Sequence, residues 1–342
     1  VSRVSQDAPF LKACRGEPTS VTPIWLMRQA GRYMKEYRDL RAKVSFLELC
    51  HSPELAAAVT IQAVEKLGVD AAIIFADILL ILEPLGFQVT FEKGEGPQIH
   101  NPVRSAADLS RIRAYEKGGL EYVSSAVRLA RAGLPANVPL IGFSGAPFTL
   151  ASYAIEGGSS KEHALTKAFM HREPEAFREL LAILARAVNV YLREQIEAGA
   201  DAVQLFDSWA GALAPRDYRA HVLPHSKASL AGMSVPSIHF GTGTGAFIEA
   251  FAEVGDVTGL DFKIELDEGW RRVGHDRPIM GNLDPTVLLA GREPIFREAD
   301  RILEQAAGRK GHIFNLGHGI LPSTPVDDVI ALVAHVHEKT RR

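Results

Sequence analysis

The chain is predicted to fold as an α/β protein of the (β/α)8 TIM-barrel class, and three observations predict it. Eight short apolar runs alternate with segments of helical period over 342 residues, about 43 residues per unit. The runs are nearly continuous in apolar residues and rich in Ile and Val, as strands covered on both faces must be. No GxGxxG follows any of them, which favours the barrel over an open doubly wound sheet, the rival fold that also alternates strand and helix. The expectation is a single barrel with insertions over residues 1–342.

The expected strands are 23–27, 71–78, 139–143, 202–206, 237–240, 258–262, 278–280 and 312–315. Between them the helices begin on proline and stop on glycine. Ser52-Pro53-Glu54 supplies an N-cap, a proline at the first helical position and an acidic first turn, for a helix reaching about Leu67 before Gly68. A long amphipathic stretch covers 174–198 and ends at Gly199. The stretches 215–230, 294–307 and 325–338 share that grammar. One insertion reads as a hairpin, with 88–92 and 97–100 flanking Lys93-Gly94-Glu95-Gly96.

Composition narrows the function. Apolar residues make up 46% and charged residues 23%, well away from the disordered regime. A net charge of −3 argues against a general nucleic-acid binder, which needs an excess of Lys and Arg. Cys14 and Cys50 cannot build a disulfide framework, so a reducing compartment is expected. No apolar stretch approaches the ~20 residues that span a bilayer, and 69–82 is cut by Asp70 and Asp77. The sequence starts at Val1 rather than Met, and its polar opening (Ser2, Arg3, Ser5, Gln6, Asp7) lacks the apolar core of a signal peptide. A cytoplasmic enzyme without membrane or nucleic-acid partners is the expectation.

In a barrel the carboxyl ends of the strands build the active site. All eight runs carry polar or glycine residues to that end, among them Arg28, Arg32, Asp77, Ser144, Asp207, Ser208, Asp261, Asn282, Asp284 and His318. Each has a bland alternative. Asp77 reads equally as a helix cap, and Asp207 and Asp284-Pro285 as caps or loop braces. The run Gly241-Thr242-Gly243-Thr244-Gly245 is a phosphate cradle without the P-loop lysine, or a turn that makes room for a bulky ligand. Most of the other histidines, such as His163 and His337, are expected on solvent-facing helices. Arg28 and Arg32 form an i, i+4 pair if a helix begins there, and two such forks suit a ligand carrying several carboxylates. No CxxC, HExxH or GxSxG occurs, so neither a thiolate zinc site nor a nucleophile elbow is expected.

These blocks resemble a known family. Pro23-Ile24-Trp25-Leu26-Met27-Arg28-Gln29-Ala30-Gly31-Arg32-Tyr33 looks like the first signature of the uroporphyrinogen decarboxylases. Gly142-Phe143-Ser144-Gly145-Ala146-Pro147-Phe148-Thr149, with Tyr153 and Glu156-Gly157-Gly158, resembles the second. Phe75-Ala76-Asp77-Ile78, Phe206-Asp207-Ser208-Trp209-Ala210-Gly211, Gly281-Asn282-Leu283-Asp284-Pro285 and Asn315-Leu316-Gly317-His318-Gly319 follow further family blocks in order, from about Pro9 to His337. Lys35 stands where the first block often has proline, and Ile320-Leu321-Pro322-Ser323 lacks the aromatic or acidic residues of some relatives. Those departures touch fine specificity only.

The resemblance implies a (β/α)8 barrel working as a cytosolic homodimer on the haem pathway, without cofactor or metal. It implies removal of the carboxyl groups of the four acetate side chains of uroporphyrinogen III, leaving the methyl groups of coproporphyrinogen III. By motif position, Arg28 and Arg32 bind substrate carboxylates, Asp77 accepts the pyrrole N–H groups, and Tyr153, Ser208 and His318 contact substrate side chains. Loss of CO2 from a pyrrole acetate needs an electron sink, which protonation of the adjacent ring carbon supplies as a cation. A carboxylate beneath the ring stabilises that cation more than the ground state. An arginine near the acetate holds it or relays a proton, although arginine is a poor acid at its usual pKa. Two rivals remain. Related barrel methyltransferases acting on corrinoids and thiols need Cys and His ligands at the mouth, and a tetrapyrrole carrier leaves Asp77 unexplained.

Overall fold

Caps and prolines place the helices where the spacing predicts them. The computed structural model of the protein describes residues 4–92 and 96–342. Helix Pro53–Leu67 starts on the Ser52 hydroxyl, which accepts the Leu55 N–H at 3.4 Å, and stops at the left-handed Gly68. Pro174–Ala198 has the predicted length and ends at Gly199. The last two predicted helices are Arg292–Ala306 and Val326–Thr340. The stretch 215–230 is not one regular helix: Pro215–Asp217 leads into a π-turn over Tyr218–Val222 and then Leu223–Leu230. Pro224 explains the change, because its ring would strike the carbonyl four residues back in an ordinary turn.

Seven strands pair in parallel in chain order: Ala72–Ile73, Leu140–Gly145, Ala202–Asp207, Ser237–Gly241, Val257–Gly259, Ile279–Leu283 and His312–Leu316. Segment 23–26 closes the sheet. On one side Phe314 N–H donates to the Pro23 carbonyl at 2.8 Å, and on the other Asp70 N–H donates to the Ile24 carbonyl at 2.8 Å. Eight staves therefore form the barrel. The run predicted over 71–78 is a strand only at Ala72–Ile73, because Phe75 N–H turns to the Thr60 hydroxyl at 2.9 Å and residues up to Asp77 leave the ladder.

Register decides which side chains face inward. The Gln204 amide reaches the Met27 sulfur at 4.0 Å, so Gln204 points into the barrel. Phe143 is its register partner, while Phe206, two residues along the same strand, pairs with Phe240, so all three rings share the inner face. They meet edge to face, with centroids 5.4 and 6.1 Å apart, and cap the core just below the mouth. The predicted hairpin is Val89–Glu92 with Gly96–Ile99, and its turn at Lys93-Gly94-Glu95 lies outside the described residues. It is stitched beside the mouth, where Ile99 N–H donates to the Gly157 carbonyl at 2.8 Å.

At the opposite end a repeated device ties strand starts together. Asp70 accepts Ile24 N–H at 2.7 Å, Asp201 accepts Leu140 N–H at 2.9 Å, and Asp256 accepts Ser237 N–H at 2.8 Å. Each aspartate precedes one strand and accepts a backbone N–H at the start of the strand before it.

Candidate active site

The mouth is assembled from loops that follow the strands. Arg28 sits in a tight turn with φ 63°, and the neighbouring helix, Lys35–Arg41, begins only after Arg32. The two arginines are thus not the helical i, i+4 pair that the spacing allows. The left-handed turn, closed by Gln29 N–H on the Leu26 carbonyl at 2.9 Å, carries Arg28 over the loop that follows the neighbouring strand instead. The Arg28 side chain passes directly over Gly319, where any Cβ would collide with it. Glycine is required at 319 so that the guanidinium can lie beside His318.

Asp77 lies half-buried where its strand has left the ladder. One carboxylate oxygen accepts Leu79 N–H at 2.9 Å, so the residue caps the next turn and still presents its other oxygen. Burial pushes its pKa up to about 6, against the pull of the Leu79 N–H and of the nearby Arg28 charge. Tyr153, from helix Pro147–Glu156, feels the same two groups. Burial pushes its phenol up to about 12, the Asp77 charge adds to the rise, and Arg28 opposes it. His318 is held below its ordinary value by burial first and the Arg28 charge second, and so is neutral at pH 7. Arg28, Asp77, Tyr153 and His318 therefore share one electrostatic environment.

Arg32 and Ser208 stand further out. Arg32 is exposed, and no contact in the structure ties its side chain to Asp77. Neither Arg28 nor Arg32 forms an ion pair among the described residues. Ser208 is half-buried, and its carbonyl accepts the Thr242 hydroxyl. The next residue, Trp209, stacks on Tyr153 with centroids 3.9 Å apart.

Several features escape sequence reasoning. Thr149 is a hub: its hydroxyl donates to Asp207 at 2.9 Å and accepts the Trp209 backbone N–H at 3.3 Å, anchoring the backbone of the residue whose indole stacks on Tyr153. Asp207 is fully buried and faces outward, 3.6 Å from His239, so it braces the strand end instead of entering the mouth. Asp284 is a cap, accepting Thr286 N–H at 2.8 Å. The glycine run 241–245 is no phosphate cradle, because Asp261 already accepts Gly243 N–H at 2.6 Å. Gly211 packs against that turn so tightly that a Cβ would overlap the Thr242 carbonyl. His163 is not on a solvent-facing helix: it is buried at φ 50° with its ring 4.6 Å from Trp209. His337 is half-buried and contacts Asp70 at 2.7 Å. No spacing in the sequence signals either placement.

Both cysteines lie in helices, Cys14 in Pro9–Cys14 and Cys50 in Phe46–His51, and burial pushes both thiols far up. The Asp77 charge raises Cys50 further. Among the described residues no group of three or more His, Cys, Asp or Glu side chains could hold a metal ion.

Comparison with known proteins places the geometry. The family model described as uroporphyrinogen decarboxylase matches residues 5–339. The chain belongs to the uroporphyrinogen decarboxylase family. Among its relatives is the uroporphyrinogen decarboxylase of Sorangium cellulosum, 55% identical over 97% of this chain and 96% of that protein. The Roseiflexus sp. enzyme of the same name is 54% identical over 96% and 97%. The Streptomyces coelicolor enzyme is 49% identical over 98% and 96%. Among solved structures, a methyltransferase from Methanosarcina mazei superposes with a TM-score of 0.84, covering 98% of this chain and 99% of that one at 21% identity. That likeness bears on the fold alone. The family places the chain among carboxy-lyases.

Proposed function

We propose that this chain decarboxylates the four acetate side chains of uroporphyrinogen III to methyl groups, giving coproporphyrinogen III in tetrapyrrole synthesis. Membership of the uroporphyrinogen decarboxylase family supports the reaction. The observation that carries the residue assignment is the shared environment of Asp77 and Arg28, a half-buried carboxylate and a guanidinium without an ion pair among the described residues, at one barrel mouth.

Asp77 accepts the pyrrole N–H groups on its free oxygen. When the ring carbon next to the acetate-bearing carbon is protonated, the ring becomes a cation, and the Asp77 carboxylate stabilises it. The acetate C–C bond then breaks, CO2 leaves with its carboxyl carbon, and the electron pair forms an exocyclic C=CH2 bond that neutralises the ring cation. A proton added to that CH2 carbon completes the methyl group, and loss of the first proton from the ring carbon restores the pyrrole. Arg28 holds a substrate carboxylate beside Asp77, and Arg32 takes one at the rim. Tyr153 and Ser208 contact side chains from the Trp209 side, while His318, neutral at pH 7, donates or accepts a hydrogen bond without adding charge. The substrate ring is its own electron sink, so no cofactor or metal is required by this chemistry. A cytosolic homodimer completes the reading. Among the described residues no helix is long and apolar enough to cross a membrane.

The deciding assay is anaerobic incubation with uroporphyrinogen III after chelator treatment, with products separated by chromatography. Coproporphyrinogen is the expected product. Unchanged substrate would overturn the reaction, and tight binding without turnover would leave the carrier reading standing.

A further inference from the structure

One loop at the mouth is braced more heavily than its exposed residues require. It follows strand Val257–Gly259 and contains Asp261-Phe262-Lys263-Ile264. Asp261 is buried and clamps it, accepting Lys263 N–H at 3.1 Å on one oxygen and Gly243 N–H at 2.6 Å on the other. From below, the Asn282 amide donates to the carbonyls of Asp261 at 2.8 Å and Ile264 at 2.6 Å. Gly317 presses against the Phe262 backbone so closely that a Cβ there would overlap it. Four polar contacts and one glycine thus hold four residues.

What this frame presents is unusual. Phe262 is 39% exposed, although a benzyl side chain on a rigid loop is normally buried. Lys263 is exposed and, among the described residues, forms no ion pair. Its charge reaches His318, as does that of Arg28. Arg28 follows segment 23–26, Lys263 follows Val257–Gly259, and His318 follows the strand His312–Leu316 that lies between them in the barrel order. The two cations therefore stand at different bearings around His318.

We infer that Phe262 and Lys263 form a second substrate subsite, in which the Lys263 ammonium takes a peripheral carboxylate of the porphyrinogen and the Phe262 ring covers the adjacent apolar edge of the macrocycle. A substrate with carboxylates around its whole rim cannot be oriented by Arg28 and Arg32 from one side alone. A compact, hydrated ammonium suits a carboxylate that stays near the rim, while the fork of Arg28 suits the one held beside the chemistry. Neither Phe262 nor Lys263 takes part in bond breaking.

This inference rests on the substrate proposed above, and its test separates the two. Lys263→Met keeps the aliphatic stem and removes the charge. It should raise KM for uroporphyrinogen III about tenfold, with the loss falling on KM and not on kcat, the signature of binding shared by ground and transition states. Lys263→Arg should restore most of the affinity, and added salt should weaken the parent more than Lys263→Met. Phe262→Ala should raise KM severalfold without changing the salt dependence. Equilibrium dialysis of uroporphyrinogen against parent and variants runs beside the kinetics. Equal affinity of parent and Lys263→Met would overturn the subsite. Loss of affinity in Lys263→Met, with a parent that binds but turns nothing over, would uphold the subsite and sink the reaction instead. A Phe262→Ala variant with unchanged affinity and altered oligomeric state would assign the ring to a second copy of the chain and overturn its role here.

Discussion

The two ends of the barrel treat their charges in opposite ways. At the amino-terminal end Arg131 is fully buried, and its guanidinium donates to Asp201 at 2.8 Å and to the carbonyls of Leu134, Pro135 and Val138. Asp70, Asp201 and Asp256 are likewise spent on backbone N–H groups. At the carboxyl-terminal end Arg28, Arg32 and Lys263 lie exposed, while Asp77 has one oxygen without a hydrogen bond among the described residues. Among the described residues the amino-terminal charges are paired within the chain, although the Arg131 Nε finds no partner, whereas Arg28, Arg32, Lys263 and Asp77 form no ion pair.

The largest expected effect tests the structural end. Arg131→Met leaves the Asp201 carboxylate in an apolar setting without its partner, and should cost about 3–5 kcal/mol of stability. Thermal unfolding measures it, with KM for uroporphyrinogen unchanged. A variant that melts with the parent would mean that the amino-terminal network is dispensable.

Asp77→Asn should sharpen the contrast from the other side, lowering kcat by about 10²–10³-fold while keeping the fold. Its stability should change in the opposite sense to that of Arg131→Met. The folded Asp77 carboxyl titrates at about 6 and the ordinary value is 3.8. Between these the folded chain keeps a proton that the unfolded chain has lost, so parent stability falls as pH rises through the window. Asp77→Asn removes that fall, and should melt above the parent at pH 7 with the gap closing below about pH 4. Parent turnover should decline below about pH 6 as the carboxylate protonates. A variant less stable than the parent at pH 7 would show that Asp77 is chiefly a cap.

Arg28→Ala should raise KM about ten- to a hundredfold, the range expected on losing a charge-assisted contact, without loss of melting temperature. Unchanged binding would remove the clamp. Thr149→Val gives the smallest effect, about 1 kcal/mol of stability from the lost Asp207 bond, together with a shift in Trp209 emission. Trp25 and Trp270 are fully buried, so a change on adding substrate reports Trp209. An emission spectrum identical to the parent would mean that the indole is held by packing alone.

Much of the frame was legible in advance because it rests on local rules. Pro174 and Gly199 bracket a helix by their own backbone preferences, and Ser52-Pro53 starts one wherever it occurs. The strands of 202–206 and 312–315 lie within a residue of their observed ends, since continuous apolar runs are buried wherever the barrel places them. Long-range features were not legible. His163 and Asp207 look like surface and site residues by type, yet partners 46 and 58 positions away in sequence, Trp209 and Thr149, decide otherwise.

The sequence by itself determined the barrel, the family, and the identity of the charged residues available at the strand ends. Each follows from periodicity, strand-end chemistry or motif order. Only the tertiary structure decided which charges meet. Arg28 reaches the shared environment of Asp77 and His318 through a left-handed turn over Gly319, whereas Arg32, four residues on, stays at the rim. The reason is physical. A side chain's effective charge depends on burial and on neighbours brought from other strands, and neither is encoded in spacing along the chain.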